Sequence, residues 1–400
     1  MPMRPMMRAL RSGHWPSLLG SWLHFETSFM VWLLIGALGV PIGDEFGLSA
    51  TQKGLLVGVP LLGGALLRVP VGLGSDWVGP KPVGILLLVC ELAALLWGWL
   101  GATSYMDVLG IGLVLGVAGA SFAVALPLAS RAYPPAHQGV AMGVTASGNS
   151  GTVLSVLLAP RFAEIVGWRG VFGVMMWPVV LTMLVFAVLV RGDVGTVPWR
   201  DRRAPWDSLT DALTRRSLYR LGFLYSVTFG GFAGLCSFLP IFFHDQYGLD
   251  LVAAGMITAV CGLAGSLARP WGGYVADRQG GRAVLLLVFP AIAALTGAAG
   301  LLPSLGVAAT LLVTAVAAMG FGNGIVFQVV SKRFPKQMGV ASGLIGAAGG
   351  FGGFLLPSWL GALRDITGTY MSGFFLFTGA ALVAVGSLLG LQQRFDSPSH

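Results

Sequence analysis

Two arginines stand inside stretches otherwise suited to lipid. Arg68 lies in "GGALLRVPVG" (63–72), and from Gly54 to Gly74 no other residue is charged; Arg269 lies in "GSLARPWGGY" (265–274). A guanidinium keeps its proton in a protein, and its planar fork bonds two oxygens at once, which suits small oxyanions. At the centre of a membrane span an arginine costs roughly 3 kcal/mol on insertion scales. Each should therefore face a cavity and meet a partner. If both share one cavity, two unit charges ~4 Å apart at an effective dielectric of ~20 repel by about 4 kcal/mol, and an anion between them relieves that repulsion. The other outcome is separate pairing with backbone carbonyls or with a buried acid, for which Glu26 and Glu91 are the main candidates.

Other residues bear on the same chemistry. The segments "TASGNSGTV" (145–153) and "GAAGGFGG" (346–353) are dense in glycine. They permit close helix crossing and bring backbone near a ligand. Asn149 in the first adds an amide that can donate to an anion. Glu26, beside His24, is an acid that could take up a proton or simply face headgroups. No P-loop or G-x-S-x-G occurs. Cys90, Cys236 and Cys261 lie singly, and the five histidines are scattered, so neither a disulfide framework nor a metal site is expected.

The elements that would hold these residues are membrane helices. The chain has 400 residues, 55% hydrophobic and only 10% charged, against about 25% charged in a soluble domain. Apolar runs long enough to span a bilayer recur at 19–41, 51–75, 82–101, 106–130, 138–160, 168–190, 218–243, 251–276, 283–302, 306–331, 338–361 and 370–391. The expected fold is all-α, with twelve transmembrane helices in two pseudo-symmetric halves, 1–190 and 218–400, joined by a cytoplasmic linker, 191–217. The basic N-terminus leads into a run too long for a signal peptide and is expected to be retained. With both termini in the cytoplasm, 18 of the 24 basic residues fall on that side and 4 on the other, which is the positive-inside bias. The bias explains the positive charge without nucleic acid, and the linker would rest on anionic headgroups.

The halves repeat. "RVPVGLGSDWVGPKPV" (68–83) aligns with "RPWGGYVADRQGGRAV" (269–284), matching Arg68 to Arg269, Asp76 to Asp277, Gly79 to Gly280 and Lys81 to Arg282. A repeat of six helices is a mark of secondary transporters, which hold substrate near the midplane between repeats. The shared G-x-x-x-D-x-x-G-x-[KR] pattern reads as a tight turn whose Asp76 or Asp277 caps a neighbouring helix.

That pattern resembles the loop signature of the major facilitator superfamily. "GGALLRVPVGLGSD", "GVTASGNSG", "LARPWGGYVADRQGG" and "GLIGAAGGFGGFLLP" together resemble its nitrate/nitrite porter family, over the whole chain. The resemblance implies a monomeric carrier in the cytoplasmic membrane, not an enzyme and without a cofactor. It would move nitrate or nitrite by alternating access, as nitrate/nitrite antiport or nitrate/proton symport. The anion would be gripped by Arg68 and Arg269 with Asn149, and sandwiched by Phe122, Tyr225 and Phe229. Gly148, Gly151, Gly346, Gly349 and Gly350, with Asp76 and Asp277, would be signature and gating positions. Glu26 would couple protons in the symport case. A carrier for another small anion, or a transporter-like anion sensor, shares the arginines.

Overall fold

The computed structural model describes residues 12–134, 137–191, 204–334 and 338–389, so the basic N-terminus, part of the linker and the C-terminal tail lie outside the described residues. Among the described residues the chain is helical and has no strand. Ten helices among the described residues are long and apolar enough to cross a membrane. One of these holds two of the expected spans. Helix Gly151–Leu189 runs through both, kinked at Gly167 (φ 71°, ψ 162°). We therefore label α5 as 138–166 and α6 as 167–189. The expected first span falls outside the ten because it is broken: α1 (15–46) is built of Trp15–Trp32, Leu34–Ala37 and Gly39–Phe46. Pro41 cannot donate to the Ala37 carbonyl, which fits the break at Leu38. The others are α2 (Ala50–Val78), α3 (Pro80–Leu100), α4 (Tyr105–Arg131), α7 (Arg216–Tyr247), α8 (Leu251–Gln279), α9 (Gly281–Gly300), α10 (Leu305–Arg333), α11 (Met338–Thr367) and α12 (Met371–Leu389). A linker helix, Ala204–Thr214, precedes α7.

Several local irregularities position the site. In α4 the helix tightens at Ala120–Ser121. The Ala123 amide bonds the Ala120 carbonyl at 2.9 Å instead of reaching back four residues to Gly119. The Gly119 carbonyl is thereby left for another donor. In α5 the glycine-rich segment becomes a 3-10 turn, Ser147–Ser150. In α7 a π-turn, Ser226–Gly230, lies between two α-helical pieces and carries Phe229. Such departures from α-geometry are common at functional sites.

The repeated loop motif folds alike in both copies. Gly79 (φ 107°) and Gly280 (φ 84°) adopt backbone angles that side-chain-bearing residues avoid. The aspartates depart from expectation. Asp76 does not cap a helix but pairs with Arg131, in the last turn of α4, at 2.5 Å. Asp277 accepts from Gln328 at 2.8 Å and lies 3.7 Å from Lys332, both on α10. A carboxylate facing a cationic helix C-terminus gains from the side chain there rather than from the dipole.

The seams α2–α11 and α5–α8 close tightly at the end away from the linker. A Cβ on Gly58 would lie 3.1 Å from Phe354, and one on Gly255 would lie 3.0 Å from Pro160. Polar bonds fasten the same end. Asp365 of α11 accepts from the amides of Ala50 (3.1 Å) and Thr51 (2.8 Å) at the start of α2, and Lys53 pairs with Asp245 of α7 at 3.1 Å. A carboxylate at a helix N-terminus contributes about 1 kcal/mol. Asp365→Asn is therefore expected to open this far end about fivefold more often. Thiol labelling of Ser358→Cys from that side, with Cys90, Cys236 and Cys261 replaced, checks it.

Candidate functional site: a cavity holding two buried arginines

A cavity of about 470 Å³ enters from the linker end and is walled by α2, α4, α5, α8, α10 and α11. Arg68 and Arg269 both line it, as do Phe122, Phe327 and Ser147; Asp76, Arg131 and Leu209 of the linker helix stand toward its mouth. The guanidinium groups are buried, Arg68 to 1% exposure and Arg269 to 9%. Among the described residues neither pairs with a carboxylate.

Arg68 is held by backbone on two sides. Its Nε donates to the released Gly119 carbonyl at 3.0 Å, and its Nη1 donates to the carbonyl of Gly346 on α11. Nη2 has no partner, and neither does Nη1 of Arg269. Of the two outcomes open at the sequence level, carbonyl pairing therefore accounts for part of Arg68 and leaves each guanidinium an unused donor. Glu26 and Glu91 are bound elsewhere: Glu26 accepts from Ser150 at 2.8 Å and Glu91 from Ser28 at 2.7 Å.

Aromatic rings enclose the cations. Arg68 Cζ lies 5.0 Å from the Phe229 ring centre, 5.5 Å from Trp32 and 5.6 Å from Phe122; Arg269 Cζ lies 5.7 Å from Phe327. Phe122 meets Phe327 edge-on at 5.4 Å. Tyr225 stacks on Phe229 with centroids 5.0 Å apart and meets Phe327 edge-on at 4.9 Å. Such contacts stabilise a desolvated cation by about 2 kcal/mol.

The expected residues thus separate into two shells of position. Arg68, Arg269 and Phe122 reach the cavity wall. Tyr225, Phe229 and Asn149 do not; they are buried behind it, at 1%, 2% and 2% exposure. Asn149 sits in the 3-10 turn next but one to Ser147, and its Oδ1 has no partner. The signature glycines make close approaches to neighbouring elements. A Cβ on Gly346 would lie 3.2 Å from Arg68 Nη1, one on Gly349 2.5 Å from the Tyr225 ring, and one on Gly350 3.0 Å from Ala65. Gly148 and Gly151 serve α1 instead, at 2.8 Å from Phe25 and from the Met30 amide respectively. Glu26, half-buried, ties α1 to the same α5 turn and does not line the cavity. Phe327 and Trp32 escaped the sequence reading, since an aromatic in an apolar run carries no distinguishing signal.

An all-helical membrane bundle with a cavity reaching its middle from one end defines a multi-pass membrane carrier. Residues 21–357 match the Major Facilitator Superfamily. The chain is 35% identical to a protein of Mycobacterium tuberculosis (strain ATCC 25618 / H37Rv) named "Probable nitrate/nitrite transporter NarK2", covering 92% of this chain and 93% of that one. It is 31% identical to the "Nitrite extrusion protein" of Bacillus subtilis (strain 168), over 90% of each. It is 32% identical to the "Probable nitrate/nitrite antiporter NarK1" of Thermus thermophilus, over 90% of this chain and 88% of that. Among solved structures, a D-xylose-proton symporter superposes with a TM-score of 0.75 at 15% identity, covering 96% of this chain and 99% of that one. The chain belongs to the nitrate/nitrite porter family of the major facilitator superfamily, and is a carrier rather than an enzyme.

Proposed function

We propose that this protein moves nitrate and nitrite across the cytoplasmic membrane by alternating access. The two halves, 1–190 and 218–400, rock about an anion held between Arg68 and Arg269. The observation that carries the reading is a pair of permanent cations buried in one cavity, neither paired with a carboxylate among the described residues and each with a donor unspent. The names of the relatives supply the anion. Nη2 of Arg68 and Nη1 of Arg269 would take the anion's oxygens, beside the edge-on pair of Phe122 and Phe327. Tyr225, Phe229 and Asn149 support this ring from behind.

In this reading the linker end is cytoplasmic, with both termini, as the basic residues indicate. The described state is then open to the cytoplasm and shut on the other side. Unliganded, two like charges in one buried cavity repel by an energy on the order of a few kcal/mol. An anion removes that repulsion and lets the linker-end walls, including the Asp76 and Asp277 loops, close. The protein acts as a monomer, since one chain completes the cavity.

Counterflow of labelled nitrate in proteoliposomes tests this. Unlabelled nitrate and nitrite are expected to compete, and larger carboxylates are not. Arg269→Lys keeps the charge but loses the fork, and is expected to slow counterflow at least about tenfold, the worth of one charge-assisted bond. Better competition by a carboxylate would make this a carrier for another anion. Nitrate binding without flux would make it a sensor.

A further inference from the structure

Away from the arginine cavity, a second set of polar side chains is buried between α1, α3 and α6. Glu91 of α3 is fully buried. Eleven residues into its helix, it lies about 17 Å from the linker end. Oε1 accepts from the Ser28 hydroxyl of α1 at 2.7 Å, and Oε2 has no partner. Ser17, Ser21, His24 and Ser28 follow one another along one face of α1, all fully buried. His24 Nε2 lies 3.1 Å from the Gly84 carbonyl, two turns before Glu91. Bonding a carbonyl makes Nε2 the donor and leaves Nδ1 a buried acceptor without a partner. At the helix start, His14 Nδ1 lies 2.8 Å from the Ser17 hydroxyl. This polar face therefore runs from the linker end of α1 to mid-membrane and stops at Glu91.

Among the described residues no cation pairs with Glu91. α1, α2, α4 and α6 pack against α3. α1 brings His24 to this face, while its Glu26 is bonded to Ser150 of α5. On α2, Arg68 is turned to Gly119 and Gly346, Asp76 to Arg131 and Lys53 to Asp245. On α4, Asp107 and Arg131 stand at its two ends. On α6, Arg169 at its start pairs with Glu45, and Thr182 bonds Thr27 of α1 at 2.7 Å. Cys90 adjoins Glu91 on α3 itself. Intramembrane acids are costly, and in carriers they mark proton relays.

Resting on the nitrate reading above, we infer that Glu91 is the proton site of a proton-coupled nitrate cycle, reached along the His24 face of α1. The same stretch of α1 forms the wall behind the anion. Trp32 is one turn beyond Ser28, lies 5.5 Å from Arg68 and donates to the Pro60 carbonyl of α2 at 2.8 Å. When Glu91 gives up its proton, the Ser28 bond becomes charge-assisted and shorter. That draws α1 toward α3 and shifts the Trp32 wall against Arg68. No covalent step is involved: one proton is taken up by the carboxylate and released from it.

Two assays in proteoliposomes test this: nitrate accumulation under an inward proton gradient, and nitrate counterflow at equal pH. Wild type is expected to accumulate nitrate up to about tenfold per pH unit and coupled proton. Glu91→Gln is expected to keep counterflow and lose accumulation, Glu91→Asp to regain part of it, and Glu26→Gln to keep both. Accumulation by Glu91→Gln equal to wild type overturns the inference. So does a wild type that ignores the gradient and needs nitrite inside, which leaves nitrate transport standing. If Glu91→Gln loses counterflow too, Glu91→Asp decides: regained gradient response upholds the site, and its absence rejects it. A wild type without nitrate counterflow rejects the substrate reading itself, and this inference with it.

Discussion

Arg68→Lys lowers nitrate uptake by about a hundredfold or more while leaving the protein folded in the membrane. The size follows from the bonds. Arg68 divides its fork among the Gly119 carbonyl, the Gly346 carbonyl and an open position in the cavity. A lysine ammonium is a point charge on a flexible stem and cannot serve three directions set by a planar group. It either keeps the carbonyls and abandons the anion or turns to the anion and strands two buried carbonyls. A charge-assisted bond is worth about 1.5–3 kcal/mol, so losing one to two amounts to about 3 kcal/mol, or about a hundredfold. Initial rates of labelled nitrate uptake, set beside thermal stability of the purified variant, check it. Wild-type kinetics in Arg68→Lys would remove this residue from the site.

Gly346→Val is expected to match that loss without touching a charged residue. The Gly346 position lies against the guanidinium: a Cβ there stands 3.2 Å from Nη1 and 3.3 Å from Cδ of Arg68. A lone methyl asks the side chain to move by a few tenths of an ångström, so Gly346→Ala should reduce uptake only several-fold. The two further carbons of valine have no room, because Arg68 is fully buried and fixed by Gly119 on its other side. Overpacking of this kind costs about 1–3 kcal/mol. It is relieved most readily by turning Arg68 out of the cavity. Equal uptake by Gly346→Val and wild type would show that the approach of α11 to Arg68 is incidental.

The sequence disclosed the cations more readily than their surroundings. A charge within an uncharged run is conspicuous at any depth, so Arg68 and Arg269 could be picked out and paired through the repeat. Asp76 and Asp277 were conspicuous too, but their partners were not. Arg131 lies 55 residues from Asp76 and is reached only because α2 and α4 end side by side. The release of the Gly119 carbonyl depends on a tightened turn at Ala120–Ser121, for which "AGASFA" carries no distinct signal. Aromatic positions were the least legible. Phe122 lines the cavity, whereas Tyr225 and Phe229 stand behind it, and Phe327 takes a wall position that nothing in "GIVFQVV" advertises. In an apolar helix a ring can pack anywhere on the circumference, so only tertiary structure shows which way it faces. The break in α1 had one legible cause, Pro41. The seamless run of α5 into α6 had none, since Gly167 was as easily read as an ordinary loop.

The most direct measurement is a structure of the protein determined with nitrate at saturating concentration. The account predicts a single flat anion bridging Nη2 of Arg68 and Nη1 of Arg269, next to the Phe122 and Phe327 rings. Nitrate found at another place, with Nη2 of Arg68 and Nη1 of Arg269 still without a partner, would contradict it.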